Sequence, residues 1–277
     1  MSIKEILVHV DAATGNTQRV NAAIELASQH DAHLRGVYVL SRPMIPAYAE
    51  VQISEDVLKA QASALQEAAE EAHETFLNAA RQKGIDVSWR CIEGAVDAVL
   101  TRQACSVDLL VLSQQNPEDD MFLGGRDMPD QVILSAGRPV LMIPYTYRGE
   151  GMGKRILVAW DGSSRASRAV HDAMPFLKAA NHVTVMVANP EGEIRHGVEP
   201  GAQITAHLIR HGVKAEAAHI TNPDVKLGEL LLSRAADMSA DLIICGAYGH
   251  ARWKELILGG VTDHLLDHMP VPLLMSH

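Results

Sequence analysis

The chain carries one sequence pattern twice, and this internal repeat limits the folds that it can adopt. Ile6–Asp11 matches Ile156–Asp161 at an offset of 150 residues, and Leu109–Ser113 matches Leu242–Gly246 at an offset of 133. Two later landmarks recur in the same order: Gly124-Gly125 with Gly259-Gly260, and Pro139–Met142 with Pro272–Met275. Two long repeats indicate a duplicated globular domain and exclude a solenoid of many short repeats.

Residues 148–153 are predicted to link the two copies. The run Tyr145–Lys154 has three glycines and mixed charge, a composition typical of linkers. It also resembles a phosphate-binding loop, but Arg155 stands where Ser or Thr must bind magnesium, and a strand-like run follows it instead of preceding it. We therefore expect one domain over 1–147 and a second over 154–277.

Short apolar runs alternate with helical stretches in both copies. They cover residues 5–10, 36–40, 86–91, 108–112 and 139–143, and then 155–160, 183–188, 213–218, 241–245 and 272–275. Nearly continuous apolar character is typical of parallel strands that are buried on both faces. Residues 54–81 form a long amphipathic stretch that includes Val57, Ala69 and Phe76, and residues 201–211 are its shorter counterpart. The predicted fold class is α/β, with two repeated, doubly wound, five-stranded parallel-sheet domains.

Composition excludes several classes of function. Lys and Arg number 24 against 34 Asp and Glu, the formal net charge is −10, and only 4% of residues are aromatic. Such a chain repels nucleic acid and offers few rings for stacking bases, so we expect no nucleic-acid partner. Without a run of 18 apolar residues or a signal-peptide pattern, we expect no membrane association and a cytoplasmic location. The three cysteines form no C-x-x-C pair, which favours buried, unreactive thiols.

A group of glycines follows the fourth predicted strand of the second copy. Gly246 and Gly249 come first, nine residues intervene, and Gly259-Gly260-Val261-Thr262 then opens a helix. Glycines let a backbone approach an anion closely, and the free amides at a helix N-terminus attract phosphate. The same glycines could instead form a tight turn and a helix cap, and the sequence leaves both interpretations open. Ligands of doubly wound sheets bind beyond the carboxyl ends of the strands, where these glycines are expected.

The spacing G-x2-G-x9-G followed by a small residue resembles the universal stress protein family. The aspartates that end the first strand of each copy, Asp11 and Asp161, and the tandem duplication resemble it too, so the likeness covers essentially the whole chain. It implies Rossmann-like domains of the adenine nucleotide α-hydrolase type, each with a five-stranded parallel sheet and four helices. Many members bind ATP and others do not, and what they do with the nucleotide is mostly regulatory or unknown. The resemblance thus implies a stress-response module that binds ATP or a related adenine nucleotide.

The resemblance also implies a nucleotide site in the second copy. There Asp161, preceded by Ala159, matches the acid that contacts the adenosine part, and Ala188 matches the position whose backbone contacts adenine. The remaining matches are the glycine motif and the phosphate and ribose segment: Gly246, Gly249, Gly259, Gly260, Val261 and Thr262. Gly260 departs from the family pattern, because ATP-binding members usually carry Ser or Thr there. The missing hydroxyl removes one hydrogen bond, worth about 0.5–1.5 kcal/mol.

The first copy departs further from the family pattern. Ser113 and Asn116 replace the first two glycines, and Pro117–Asp120 adds three acids in a loop that is two residues shorter. Acids at a phosphate site repel the ligand, whereas Arg126, after Gly124-Gly125, could bind an anion or pair with one of the acids. We expect the first copy to be degenerate and to bind no ATP.

No catalytic or metal-binding residue is predicted. Two histidine pairs have the spacing of four that can bind zinc on a helix, His207 with His211 and His264 with His268, but no third ligand is assignable. Ser163 and Ser164 are expected to cap a helix, and His9 is expected to be a core histidine whose hydrogen bonds are satisfied.

The assembly and activity of the chain leave alternatives open. We expect the two domains to form a pseudo-dimer within one chain by pairing their last strands, and a homodimer of the chain is a further option. Protein partners are unknown. A ligand-free interaction scaffold and a slow ATP hydrolase are the alternatives to a regulatory nucleotide-binding module. The apolar stretch Met44–Tyr48 either covers a pocket or packs into the core.

Overall fold

Strands and helices alternate along both halves of the chain. The computed structural model describes residues 2–41, 55–119, 128–149, 151–188, 200–222, 224–248 and 260–277. The first half contains β1 (Glu5–Val10), α1 (Asn16–His30), β2 (His33–Leu40), α2 (Glu55–Gln82), β3 (Val87–Glu93), α3 (Val96–Ala104), β4 (Leu109–Ser113), α4 (Met128–Ser135) and β5 (Val140–Ile143). The second half contains β6 (Arg155–Ala159), α5 (Ser164–Asp172), α6 (Met174–Ala179), β7 (His182–Ala188), α7 (Ala202–Arg210), β8 (Ala215–Ile220), α8 (Leu227–Asp237), β9 (Leu242–Gly246), α9 (Val261–His268) and β10 (Leu273–Ser276).

The ten strands form one continuous sheet in the order β3-β2-β1-β4-β5-β10-β9-β6-β7-β8. Within each half the strands are parallel and follow the same order, which confirms two doubly wound five-stranded units. The halves meet where β5 and β10 pair antiparallel, with Leu141 opposite Leu274. The expected pairing of the last strands is therefore confirmed, and it covers two strand edges that would otherwise be open.

Helices cover both faces of the sheet, and each core extends across both halves. Helices α1, α2, α5, α6 and α7 bury residues on one face, together with Val8 of β1 and Val158 of β6. Helices α3, α4, α8 and α9 bury residues on the other face, together with Leu7 and Leu157. Alternate residues of a strand point to opposite faces, so a central strand covered on both sides must be apolar at nearly every position.

The outer strands and the start of α2 differ from the sequence-based expectation. Strands β3 and β8 end the sheet on either side and are only partly buried, which accounts for polar residues such as Arg90 and Glu216. On α2, Phe76 is buried as expected, but Val57 is 56% exposed and does not belong to the core face. The expected apolar stretch at Met44–Tyr48 lies outside the described residues.

The connection between the halves is held at its second end by Asp241. Gly149, Gly151 and Gly153 have φ angles of +78°, +86° and +81°, a left-handed backbone that favours glycine. The Asp241 carboxylate accepts hydrogen bonds from the backbone amides of Gly153, Lys154 and Arg155, each at 3.0 Å. This carboxylate fixes where β6 begins.

Candidate functional site

A cleft opens at the carboxyl ends of β6, β7 and β9 in the second half. It encloses a cavity of ≈ 90 Å³. Strand β6 pairs with β7 on one side and with β9 on the other, so the connections leave it in opposite directions. Such a switch point is where ligands of doubly wound sheets bind. The described lining residues are Ala159, Trp160, Asp161, Met186, Ala188, Leu227, Leu231, Cys245, Gly246, Val261, Thr262 and Leu265.

Asp161 is positioned by the turn that joins β6 to α5. Its Oδ1 accepts a hydrogen bond from the Ser163 backbone amide at 2.9 Å, and Gly162 between them has a φ of +72°. Ser163 is the N-cap of α5, since its Oγ accepts from the Ala166 amide at 3.1 Å, while Ser164 is already the first helical residue. The turn leaves Asp161 partly exposed on the cleft, with an oxygen that can accept from a ligand hydroxyl.

Gly246 brings the end of β9 against the start of α5. A Cβ at this position would lie 2.6 Å from the Ala166 nitrogen and 2.7 Å from the Arg165 carbonyl carbon, both backbone atoms. Only glycine allows this approach without moving the helix. The glycine that the resemblance assigned to the ligand thus has a packing role in this chain.

The N-terminus of α9 forms the opposite wall of the cleft. Thr262 is buried, and its Oγ1 accepts a hydrogen bond from the Tyr248 backbone amide at 3.1 Å. The Gly260 amide, expected to face a ligand, instead donates to Asp263 Oδ2 at 3.1 Å. An acid in the first turn is favourable for the helix dipole.

Apolar side chains close the inner side of the cleft, and the sequence analysis did not identify them. Leu227 and Leu231 come from α8, and Leu265 comes from α9. Cys245 is buried beside them, and burial, with a smaller effect of the Asp161 carboxylate, raises the pKa of its thiol to about 12. This thiol is protonated at neutral pH and acts as a small apolar group. The apolar periodicity of residues 227–237 was the available signal, but it does not show which face meets a ligand.

The structure brings most of the expected nucleotide residues together. Six of them line the cleft: Ala159, Asp161, Ala188, Gly246, Val261 and Thr262. Gly260 adjoins it as the N-cap of α9, whereas Gly249 and Gly259 lie outside the described residues.

In the first half, Arg19 pairs with Asp11, the counterpart of Asp161. Its guanidinium, 1% exposed, donates to Asp11 Oδ1 at 2.7 Å, to Asn16 Oδ1 at 2.9 Å and to Ser113 Oγ at 2.5 Å. By the internal repeat, Asp11 corresponds to Asp161 and Ser113 to Gly246, while Arg19 corresponds to the small residue Ala169. Ser113 has room, because even a Cβ added at Gly15, the counterpart of Arg165, would lie 3.6 Å from its Cβ.

Asp11 and His9 are buried beside this arginine. Burial alone would raise the pKa of Asp11, but Arg19, His9 and two hydrogen bonds together hold the pKa below its usual value. His9 Nδ1 lies 3.5 Å from Asp11 Oδ2 without a hydrogen bond, so His9 is a core residue but not a satisfied one. Burial lowers the pKa of His9 to about 4, although Asp11 acts in the opposite direction. The folded protein therefore keeps His9 neutral and Asp11 ionised.

The loop after β4 folds back on the start of α1. Asn116 Nδ2 donates to Thr14 Oγ1 at 3.3 Å, and Asp119 Oδ2 accepts from the Thr14 amide at 2.6 Å. The expected acidic loop thus binds its own domain. Asp120, Gly124, Gly125 and Arg126 lie outside the described residues.

Gln114 links this loop to the second half. Its Nε2 donates to the carbonyls of Leu266 and Asp267, both at 2.9 Å, at the C-terminal end of α9. A cavity of ≈ 330 Å³ lies beside this contact, with Pro129 and Met142 on one side and Asp263 and His268 on the other. It contains none of the residues expected to bind nucleotide.

The histidine pairs and cysteines do not form a metal site within the described parts of the chain. The ring centroids lie 4.6 Å apart for His207 and His211 and 4.3 Å apart for His264 and His268, and no group of three or more His, Cys, Asp or Glu could hold a metal there. Contrary to expectation, Cys91 and Cys105 are exposed, and only Cys245 is buried. None of the described helices is long and apolar enough to cross a membrane.

Comparison with protein families identifies the chain. The model of the universal stress protein family matches it twice, over residues 2–144 and 152–277. The chain therefore belongs to the universal stress protein family, as a tandem member with two such domains. A search of curated proteins gives no match.

Solved structures share the tandem fold. A universal stress protein from Archaeoglobus fulgidus is similar with a TM-score of 0.76 at 13% identity, over 99% of this chain and 96% of that one. A functionally unknown protein from Pseudomonas aeruginosa gives a TM-score of 0.58 at 16% identity, over 99% of this chain and 92% of that one. At these identities the likeness shows the fold alone.

Proposed function

We propose that this tandem universal stress protein binds ATP or a related adenine nucleotide in its second domain. The cleft at the switch point carries the proposal, because six residues matched to the family's nucleotide site converge on it from β6, β7, β9 and α9. Asp161 would accept the ribose hydroxyls, and the apolar wall of Leu227, Leu231 and Leu265 would contact the base.

One nucleotide per chain is expected, because Arg19 already pairs with Asp11, the first domain's counterpart of Asp161. Its guanidinium neutralises the Asp11 carboxylate and donates a hydrogen bond to the Ser113 hydroxyl oxygen. A ligand there would have to displace a buried ion pair, and breaking such a pair costs about 3–5 kcal/mol.

We further propose a regulatory, stress-response role in the cytoplasm, without rapid turnover. Asp161 is the only carboxylate among the described lining residues, and it already accepts the Ser163 amide. Fast phosphoryl transfer needs a positioned base and metal ligands. Steady-state phosphate release should therefore be much slower than the ~1–10³ s⁻¹ of ordinary enzymes.

Mass analysis of ligand released from the denatured, purified protein tests the proposal. An adenine nucleotide near one mole per mole of chain is expected from the wild type and from the control Asp224→Ala, which removes an exposed aspartate of the same domain that is not among the described lining residues. Asp161→Ala should carry none. If ATP, ADP, AMP and adenosine are neither retained nor bound on titration, the chain is a ligand-free scaffold and the proposal is wrong.

A further inference from the structure

The cavity beside Gln114 lies between the two halves of the chain. The loop after β4, helix α4 and strand β5 line it from the first half, and α9 lines it from the second. Its volume of ≈ 330 Å³ falls within the range of small-molecule sites. None of its described lining residues also lines the nucleotide cleft. A molecule bound in this cavity would contact both halves at once.

Gln114 offers a hydrogen-bond acceptor to this cavity from a buried position. The residue is only 7% exposed, and it lines the cavity. Its Nε2 donates to the carbonyls of Leu266 and Asp267, and because carbonyls only accept, these bonds fix which end of the amide faces α9. Nothing in the described parts of the chain donates to Oε1. An amide oxygen at so buried a position costs free energy unless a donor reaches it from the cavity.

The side chains of α9 that line the cavity offer acceptors as well. Asp263 and Asp267 both line it, and the Gly260 amide occupies only Oδ2 of Asp263, at 3.1 Å. His268 Nδ1 donates to the His264 carbonyl at 3.1 Å, so Nε2 of the neutral ring is left as an acceptor. The described lining residues include no Lys or Arg. This wall of the cavity is therefore suited to a cation that carries N–H donors.

The remaining lining groups indicate which kind of cation fits. The first half adds a third carboxylate, Asp130, and the amide of Gln115, which can accept or donate. Apolar side chains complete the described lining: Pro117, Pro129, Met142 and Leu266. A metal ion is disfavoured, because no group of three or more His, Cys, Asp or Glu in the described ranges could hold one. Acceptors and carboxylates beside an apolar surface favour an organic cation with methylene groups between its charges.

From these groups we infer that the cavity binds an aliphatic diamine or polyamine between the two halves. The ammonium groups would donate to Gln114 Oε1 and pair with Asp263 and Asp267. The methylene chain would contact Met142 and Leu266. The inference is independent of the proposed nucleotide site, because it uses a different cavity and different residues.

Calorimetric titration of the full chain with putrescine and spermidine tests the inference. Salt at about 0.15 M screens the exposed charges of this acidic chain. Wild type should bind one amine per chain, and the uncharged diol with the chain length of putrescine should not bind. Asp263→Asn and Asp267→Asn should each weaken amine binding roughly three- to tenfold, and the double variant should weaken it further. Asp263→Asn keeps an oxygen that can accept the Gly260 amide, so the start of α9 is retained.

The matched control is Asp224→Asn, which removes an exposed carboxylate of the same domain that is not among the described lining residues. It should change amine affinity by less than about twofold. A loss equal to that of Asp263→Asn would show attraction to the overall negative charge and overturn the inference. Diol binding as tight as putrescine binding would show an apolar cavity without cation recognition. Failure of the wild type to bind either amine with a Kd below about 1 mM would also refute the site.

Discussion

Replacing Arg19 with Met should destabilise the protein more than most single substitutions. The guanidinium and the Asp11 carboxylate are 2.7 Å apart with side chains 1% and 2% exposed, and the same guanidinium bonds Asn16 and Ser113. Removing one partner of such a pair leaves an uncompensated buried charge, at a cost of about 3–5 kcal/mol. Without Arg19, burial would act on Asp11 with less opposition, and its pKa would rise.

The double variant Arg19→Met/Asp11→Asn separates the ion pair from lost packing. The amide oxygen introduced by Asp11→Asn could still accept the Ala13 amide, which donates to Asp11 Oδ1 at 3.0 Å in the wild type. With no charge left unpaired, we expect the double variant to lose only about 1–2 kcal/mol, which is about 2–3 kcal/mol less than Arg19→Met alone loses.

Urea unfolding at pH 7, followed by circular dichroism, measures these losses. Arg234→Met is the matched control, because its pair with Asp237 spans 3.0 Å but both side chains are about half exposed. It should cost less than about 0.5 kcal/mol. The reasoning is wrong if Arg19→Met costs under about 1 kcal/mol, or if the double variant loses as much as Arg19→Met alone.

Three further predictions concern pH and single glycines. The pKa of His9 is about 4 in the folded chain and 6.5 in the unfolded chain, so the free energy of unfolding should fall by at most ~3 kcal/mol as pH drops from about 6.5 to about 4. In His9→Gln, the free energy of unfolding should depend less on pH over this range. Gly246→Ala should cost about 1–3 kcal/mol in urea unfolding, because its Cβ would lie 2.6 Å from the α5 backbone. Gly260→Ala should cost much less, because its Cβ would lie no closer than 3.9 Å to any other residue. Similar losses for the two variants would contradict the packing role of Gly246. Gly260→Ser fits the same space and should tighten ATP binding by up to about tenfold in calorimetry, a result that unchanged or weakened binding would refute.

The sheet could be predicted from sequence because the duplication and the apolar runs are local signals. Ten runs gave ten strands, and the internal offsets showed which strands correspond. The pairing of the last strands across the domain junction was expected from the family resemblance and from the need to cover two edge strands, and the pairing of β5 with β10 confirms it. Strands β3 and β8 carry polar residues because they lie at the edges of the sheet, and the apolar runs alone did not show which strands would lie there.

The site was only partly predictable, because its important contacts join distant segments. Asp263 as the partner of Gly260 had a sequence signal, an acid three residues after a helix N-cap. Arg19 had none, since an arginine in a helix is ordinarily exposed and its burial depends on Asp11 and Ser113 meeting at the end of the sheet. Gln114 likewise acquires its partners on α9 only when the two halves dock.

The number of adenine nucleotides bound per chain tests the central claim most directly. Isothermal titration of the wild type with AMP and with ATP should give one site per chain, and Asp161→Ala should abolish it while Asp224→Ala leaves it intact. Two equivalent sites per chain, or binding that persists in Asp161→Ala, would contradict a single site in the second domain.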